Sequence, residues 1–349
     1  MAYIDIAREK LNLVRDKEKF YILAIESSCD ETAVSIIYGK EVLANEISSQ
    51  IEIHKRFGGV VPEIASRNHI LAIDNLVQSA LDKAELKLED IEVMAVTYGA
   101  GLQGALLVGV SYAKALAYAL NLPLIAVDHV KGHVLANFLV HENLEFPFIC
   151  LLASGGHTEI LNVKSYNDMT VLGSTQDDAA GEAFDKVARV LELPYPGGPQ
   201  IEKLAKEGQD VIPMPRPYKG EKHLNFSYSG IKTAVINYAH NAQQKGIEIN
   251  KADLACSFQE RAVGMLVENT LVALKQHKAT RVALAGGVGA NGRLREKLSE
   301  MGAKNNVEVL LPPKILCTDN AAMIAIGAYY AIKDGADASD LTLDVNPDL

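Results

Sequence analysis

Residues 21–38 read YILAIESSCDETAVSIIY, and this stretch decides the fold. An apolar run, Tyr21 to Glu26, meets the polar stretch Ser27-Ser28-Cys29-Asp30-Glu31-Thr32, after which the run AVSIIY follows. Short β-branched-rich runs on either side of small polar residues predict strand, tight turn, strand. The pattern returns from Phe148 as ICLLA, then Ser154-Gly155-Gly156-His157-Thr158, then EILNV. Two more echoes extend the match. VLANEISSQ from Val42 is repeated as VLGSTQDDA from Val171, and IEVMAVTYGAG from Ile91 as RVALAGGVGAN from Arg281. Self-similarity of this kind predicts a duplicated α/β fold, two lobes with a ligand cleft between them. The two turns are expected to face each other across that cleft, because ligands of α/β sheets gather at strand ends.

Between these landmarks the first half is expected to carry a third strand over Glu41 to Ile47 and a glycine-rich basic loop from His54 to Pro62. A helix from Glu63 to Lys83 follows, with apolar positions Ile64, Leu71, Leu76, Val77 and Leu81. A buried strand at Ile91 to Thr97 and a helix at Ala105 to Leu120 complete it. The second half is longer, and the surplus falls between Leu191 and Asp253, where six of the twelve prolines sit between Pro194 and Pro217. Such an insertion reads as an irregular substrate-side excursion or a surface loop. The expected division is a helical extension at residues 1–20 outside the main fold, one lobe at 21–145, a second at 146–335 with the insertion at about 191–253, and a tail at 336–349.

The 349 residues suffice for two lobes with buried cores. Hydrophobic content of 48% with no Trp suits a soluble α/β enzyme. A net charge of −10 does not favour nucleic acid as a partner, although local patches govern such binding. Cys29, Cys150, Cys256 and Cys317 show no C-x-x-C pairing and read as buried thiols of a reducing compartment. The highly charged first twenty residues suit neither a secretory signal nor a transit peptide, and Lys114 and Pro123 break the most apolar region. A cytoplasmic location is expected.

Asp128-His129-Val130-Lys131-Gly132-His133 carries the chemistry. With Asp128 as N-cap of a helix over 128–140, the two imidazoles project from one face a turn apart, a spacing that can hold a transition metal. Alone, the pair is equally compatible with two histidines that meet by chance. Asp319, just before an alanine-rich helix, is either an N-cap or the carboxylate that completes a two-His-one-carboxylate site. The turns at Ser27–Thr32 and Ser154–Thr158 offer closely spaced N–H groups that can cradle phosphate or carboxylate oxygens. Gly286-Gly287-Val288-Gly289-Ala290-Asn291 allows a flat group near the backbone, with Asn291 offering donor and acceptor to adenine or ribose. Asp177, Asp178, Glu182 and Asp185 crowd together; on a helix the last three share a face, which needs an offsetting cation or ligand, or is simply a solvated acidic helix start.

Taken together, ILAIESSCDETAVSI, HKRFGGVVPEIASRNH, DHVKGH, ASGGHTE, DDAAGEAFDKVAR, YPGGP, FSYSGIKTA, AGGVGANGRLR and CTDNAAMIA resemble the bacterial branch of the tRNA threonylcarbamoyladenosine transferase family, formerly labelled a sialoglycoprotein endopeptidase. The resemblance covers about Tyr21 to Tyr330. It implies a duplicated actin-like ATPase fold and transfer of a threonylcarbamoyl group from threonylcarbamoyl-AMP to the exocyclic amine of the adenosine that follows the tRNA anticodon, with release of AMP. It also implies one divalent metal ion, Fe2+ or Zn2+, on His129, His133 and Asp319. The adenylate positions carried over are Leu152, Ala153, Ser154, Gly155, Gly156, Asp185, Gly198 and Asn291. A further contact after YPGGP is often Asp in the family; Glu202 is the nearest acidic residue here, and that contact stays open. Asp30 is a candidate to position or deprotonate the acceptor amine, against the commoner role of Asp in an Asx-turn.

The tRNA expectation rests on the resemblance. Lys55, Arg56, Arg67, Lys219, Lys222, Arg293 and Arg295 are candidate phosphate contacts, and partner proteins of the bacterial transfer complex, TsaB-like and TsaE-like, are expected to supply further surface. A zincin endopeptidase is rejected, because H-E-x-x-H needs Glu where this chain has Val130. A small-molecule kinase would release ADP rather than AMP. A metal- and nucleotide-binding scaffold would keep its function when His129 is replaced.

Overall fold

The computed structural model describes residues 2–218 and 223–349, which form two compact units. The first comprises Met1–Leu144 and Thr318–Leu349, the second Glu145–Cys317.

In the first unit, helix α1 (Tyr3–Arg15) leads to strands β1 (Tyr21–Glu26), β2 (Glu31–Tyr38) and β3 (Glu41–Ser49). A single turn, α2 (Ile51–His54), and a long helix, α3 (Pro62–Ala84), precede β4 (Val93–Gly99), α4 (Gln103–Leu120), β5 (Leu124–Asp128) and α5 (His129–Leu135). The sheet runs β3-β2-β1-β4-β5, antiparallel within the first three strands and parallel from β1 onward. The central strands are buried on both faces, which is why they read as unbroken apolar runs.

In the second unit, β6 (Phe148–Ala153), β7 (Thr158–Val163) and β8 (Met169–Ser174) are followed by α6 (Ala180–Val190), α7 (Gly197–Ala205), α8 (Ser229–Gln244), α9 (Lys251–His277), β9 (Arg281–Ala285), α10 (Gly292–Asn305) and β10 (Glu308–Leu310). Its sheet order, β10-β9-β6-β7-β8, repeats the first with the same pattern of antiparallel and parallel pairs. The sequence echoes therefore fall on equivalent strands, β3 with β8 and β4 with β9. This is the duplicated topology that the sequence predicts.

Four expectations on the layout are corrected. Helix α11 (Ala321–Lys333) returns to the first unit and packs on β1, β2 and α5, so the second unit ends at Cys317 rather than near residue 335. The N-terminal helix is not outside the fold. Ala7, Leu11 and Val14, spaced along one face, are buried, and Arg15 donates to the carbonyls of Ile332 and Ala336. The tail is anchored too: the Asn346 N–H donates to Tyr98, and Gly101 donates to Pro347. The proline-rich insertion is more than a surface loop, because α7 and α8 bury Ile201, Ala205, Ile231 and Val235 in the second core. The stretch between those helices, which carries Pro213, Pro215 and Pro217, has no helix or strand among its described residues; residues 219–222 in it, with Lys219 and Lys222, lie outside the described residues. Proline there removes backbone donors and blocks helix.

Candidate metal centre and nucleotide cavity

Strand β5 ends on Asp128, whose Oδ1 accepts from the backbone N–H groups of Val130 (2.7 Å) and Lys131 (3.2 Å). That N-cap starts α5, as expected, although α-helix gives way to a 3-10 turn at Ala136. His129 and His133 are both buried on the face toward α11. Gly132 lets α11 approach: a Cβ there would lie 3.0 Å from Ile324 Cδ1. The N-cap of α11 is Asn320, whose side chain accepts from Met323 N–H, so Asp319 is not consumed by capping. Its Oδ1 lies 3.1 Å from His133 Nε2 and 3.6 Å from His129 Nε2. One ligand atom from each of the three residues falls within 4.8 Å of the others.

A residue that the sequence reading does not single out organises this cluster. Glu26, fully buried at the end of β1, places Oε2 3.1 Å from His129 Nδ1, and Ser28 Oγ stands at the same distance from that nitrogen. The Glu26 carboxylate also accepts from Ser28 N–H and from Thr97 Oγ1 (2.6 Å). A carboxylate on Nδ1 fixes the ring so that Nε2 faces Asp319 and is more basic. The available signal was an acidic residue closing an otherwise apolar strand.

Burial opposes protonation of His129, but the charges of Asp319 and Glu26 and the Glu26 hydrogen bond outweigh it and push its pKa up to about 9. Glu26 is held below its ordinary value: burial raises it, and the His129 charge and hydrogen bond prevail. Glu31 is pushed up to about 9 by burial and by the Asp319 and Asp30 carboxylates. Negative charge is thus in excess around the cluster. Two imidazole nitrogens and a carboxylate oxygen, with an outer carboxylate on one ring, are a donor set that fits a transition dication.

In this unit the Ser27–Thr32 turn is not an open phosphate cradle. The Ser28 N–H is taken by Glu26, Ser28 Oγ by His129, and Thr32 Oγ1 stands 2.7 Å from His69 Nδ1. Asp30 is buried, with no hydrogen-bond partner for Oδ2.

The second unit contains a cavity of about 360 Å³. Gly155, Asp185, Gly198 and Asn291, four of the expected adenylate residues, line it together with Gly181, Phe184, Pro199, Glu202, Gly287, Val288, Ala290 and Lys314. Leu152 and Ala153 are fully buried in β6, and Ser154 and Gly156 flank Gly155 in the turn. Gly286, at φ +84°, brings the 286–291 turn against β6, where a Cβ would lie 2.5 Å from the Ala153 carbonyl oxygen. Asp185 Oδ1 accepts from Gly197 N–H at 2.6 Å. The Asn291 side chain is engaged in the fold: its oxygen caps α10 through Leu294 N–H and its nitrogen donates to Gln259. Glu202 and Lys314 add opposite charges that the motifs did not assign, and Glu202 Oε1 accepts from Gly292 N–H.

The acidic run is offset by the protein itself. Asp177 accepts from Ser227 Oγ and from the N–H groups of Tyr228 and Ser229, capping α8 from outside, while Asp178 pairs with Lys186 and Lys232. Of the basic candidates, Lys55, Arg67 and Arg293 pair with Glu52, Glu63 and Glu260, and Arg295 donates to the carbonyls of Gly289 and Pro312. All four cysteines are free; Cys29 and Cys256 are half-buried rather than buried. No helix among the described residues is long and apolar enough to cross a membrane.

Comparison with known proteins agrees with this architecture. Over 93% of the chain and 48% of the other, the fold matches the crystal structure of full-length HypF in a phosphate- and nucleotide-bound form, with a TM-score of 0.59 at 17% identity. The chain thus spans about half the length of that protein, and the likeness concerns the fold alone. A tRNA N6-adenosine threonylcarbamoyltransferase of Clostridium perfringens is 53% identical over 334 residues, 95% of this chain and 98% of the relative. One of Clostridium botulinum is 54% identical over 332 residues, covering 95% and 97%. The profile of the family described as tRNA N6-adenosine threonylcarbamoyltransferase matches residues 41–326. Duplicated sheets, motifs and relatives of matching length agree: the chain belongs to the tRNA N6-adenosine threonylcarbamoyltransferase family.

Proposed function

We propose that the protein transfers the threonylcarbamoyl group from threonylcarbamoyl-AMP to the N6 amine of the adenosine following the tRNA anticodon, and releases AMP. The observation that carries this reading is the convergence of His129, His133 and Asp319, the last of them 186 residues beyond His133, in a chain whose full-length relatives bear that name. The amine nitrogen forms a bond to the carbamoyl carbon, the bond from that carbon to the phosphate oxygen breaks, and AMP leaves with the electron pair. The amine loses one proton. Because the mixed anhydride is already activated, no enzyme nucleophile is required.

His129, His133 and Asp319 would hold the metal, iron or zinc, which when bound supplies Lewis-acid stabilisation of charge on the carbamoyl oxygen. Contacts of this electrostatic kind contribute roughly 3–4 kcal/mol in other enzymes. Glu26 keeps His129 in the ligating tautomer. On the donor side, Gly155 and Gly198 border the cavity with room above their backbones, and Asp185 presents a carboxylate to the ribose of the adenylate. Leu152, Ala153, Ser154 and Gly156 contribute through the strand end and turn they form, Asn291 by holding the 286–291 turn, and Glu202 takes the place of the family's more usual Asp. Asp30 is the candidate to take the amine proton. TsaB-like and TsaE-like partners would supply tRNA surface that this acidic chain lacks, in the cytoplasm.

The test is a product assay with threonylcarbamoyl-AMP, unmodified tRNA and the partner proteins, read by mass spectrometry of digested nucleosides. Threonylcarbamoyladenosine is expected from the native chain and not from His129→Ala. AMP release without modified nucleoside would overturn the transferase reading.

A further inference from the structure

Beneath the Ser27–Thr32 turn, three buried polar atoms lack partners: Asp30 Oδ2, Gln50 Oε1 and His54 Nε2. Their residues are at most 5% exposed. They also belong to one corner of the fold. The Gln50 N–H donates to the Asp30 carbonyl at 3.0 Å, and the His54 N–H donates to the Gln50 carbonyl at 3.0 Å, closing one helical turn that puts both side chains on the same side. Both side chains bond the start of α3: Gln50 Nε2 donates to Ala65 O, and His54 Nδ1 accepts from Val61 N–H. One turn further along that face of α3, His69 holds the Cys29 carbonyl.

The chemistry of the three atoms is complementary. A backbone N–H can only donate, so His54 Nδ1 must be bare and Nε2 must carry the proton. The corner therefore presents one donor, His54 Nε2–H, and two acceptors, Asp30 Oδ2 and Gln50 Oε1. A buried donor or acceptor left without a partner forfeits its hydration with nothing in return. One water molecule satisfies all three, accepting from His54 and donating to the other two, and about three bonds is the usual complement of a buried water. A metal cation does not fit, because the imidazole N–H points at it.

We propose that Asp30, Gln50 and His54 enclose one internal water, and that Gln50 and His54 act through it as positioning residues for Asp30. The water ties α2 and the start of α3 to the turn that also sets Ser28 against His129. Its kinetic consequence rests on the transferase reading above; the water itself does not.

The experiment is a high-resolution crystal structure of the full chain, with 15N spectra of its histidines, alongside kinetics of His54→Phe and His54→Gln. Expected are density within roughly 3.2 Å of all three atoms and an Nε2-protonated neutral His54. His54→Phe should lower kcat about tenfold, as misplaced groups do, with KM for threonylcarbamoyl-AMP and the metal Kd unchanged. His54→Gln, whose amide can donate from a similar position, should recover most of that loss. An empty or closed corner, or an Nδ1-protonated ring, overturns the water. Unchanged kcat in His54→Phe, or kcat, KM and metal Kd worsening together, overturns the positioning role. Should His54→Phe not fold, His54→Gln with intact kcat and Gln50→Met with the selective kcat loss support that role, and a Gln50→Met of native kcat overturns it. If the native chain makes no modified nucleoside, density and tautomer still decide the water.

Discussion

Glu26→Gln changes one atom of a side chain that no solvent reaches, yet it should cripple the metal centre. In the native chain the carboxylate accepts from Ser28 N–H and Thr97 Oγ1 and holds the proton on His129 Nδ1, which leaves Nε2 free to ligate. A glutamine that keeps its oxygen on Ser28 N–H puts its NH2 where the other carboxylate oxygen stood, facing both Thr97 Oγ1 and His129 Nδ1. That nitrogen must then accept, so the ring proton moves to Nε2, the atom that faces Asp319. Charge and tautomer are lost together. Unit charges at the observed 3.1 Å would attract by about 5 kcal/mol at an effective dielectric of about 20. A neutral imidazole carries only part of a charge, so the loss is a fraction of that. Outer-shell substitutions weaken metal binding about 10–100-fold, about 1.4–2.8 kcal/mol. With the tautomer reversed, the upper end is expected. The assay is chelator competition for Zn2+ against the native protein and against Glu192→Gln as an exposed control. A Kd within about twofold of native would refute the argument, as would a fall in Tm with no change in Kd.

Four other outcomes follow from the geometry. At neutral pH the metal-free His129, with its pKa near 9, holds a proton that must leave when the metal binds, so calorimetry in buffers of different ionisation enthalpy should detect about one proton released, and pH-independent affinity below 9 would contradict it. The same shift has a stability consequence. A pKa raised from 6.5 to about 9 adds stability that is complete below 6.5 and lost as pH rises through 9, and Glu31, raised from 4.5 to about 9, acts in the same direction from 4.5 upward. Glu26, held low, contributes its loss only on acidification, outside this window. The metal-free protein should therefore melt lower at pH 9 than at pH 6.5; the opposite order would count against these shifts. Asp177→Ala removes the acceptor of three bonds at the start of α8 and should cost about 1–2 kcal/mol in denaturant unfolding, whereas an unchanged midpoint would show that the cap is idle. Gly286→Ala forces a Cβ to 2.5 Å from the Ala153 carbonyl at φ +84°, and should cost more than about 1 kcal/mol and raise KM for the adenylate; native values would mean the turn yields freely.

Strands and their turns were legible in the residues because the signal is local. β1 begins and ends at the residues that the apolar run marks, and the repeated runs fall on equivalent strands. Asp128 was readable as an N-cap, since capping involves only the next three residues. Asp319 was ambiguous for the same reason. A carboxylate before an apolar helix looks like a cap, and only the side chain of Asn320 bonded to Met323 shows otherwise. The N-terminal helix was misjudged because charged residues crowd the first twenty positions, while the residues that meet the core, buried Ala7, Leu11 and Val14 and half-buried Tyr3, are few.

Residue order by itself determined the duplicated sheets, the i,i+4 imidazoles and the glycine turns, because periodicity, capping and backbone freedom act over a few neighbouring residues. Tertiary structure alone decided that Glu26 sits on His129, that lysines rather than a ligand offset Asp178, and that Glu202 and Lys314 border the adenylate residues. It also decided that Asn291 spends its amide on the fold. These depend on which groups burial forces together. A charge or hydrogen-bonding group removed from water must find its partner wherever the chain brings one, at any distance along the sequence.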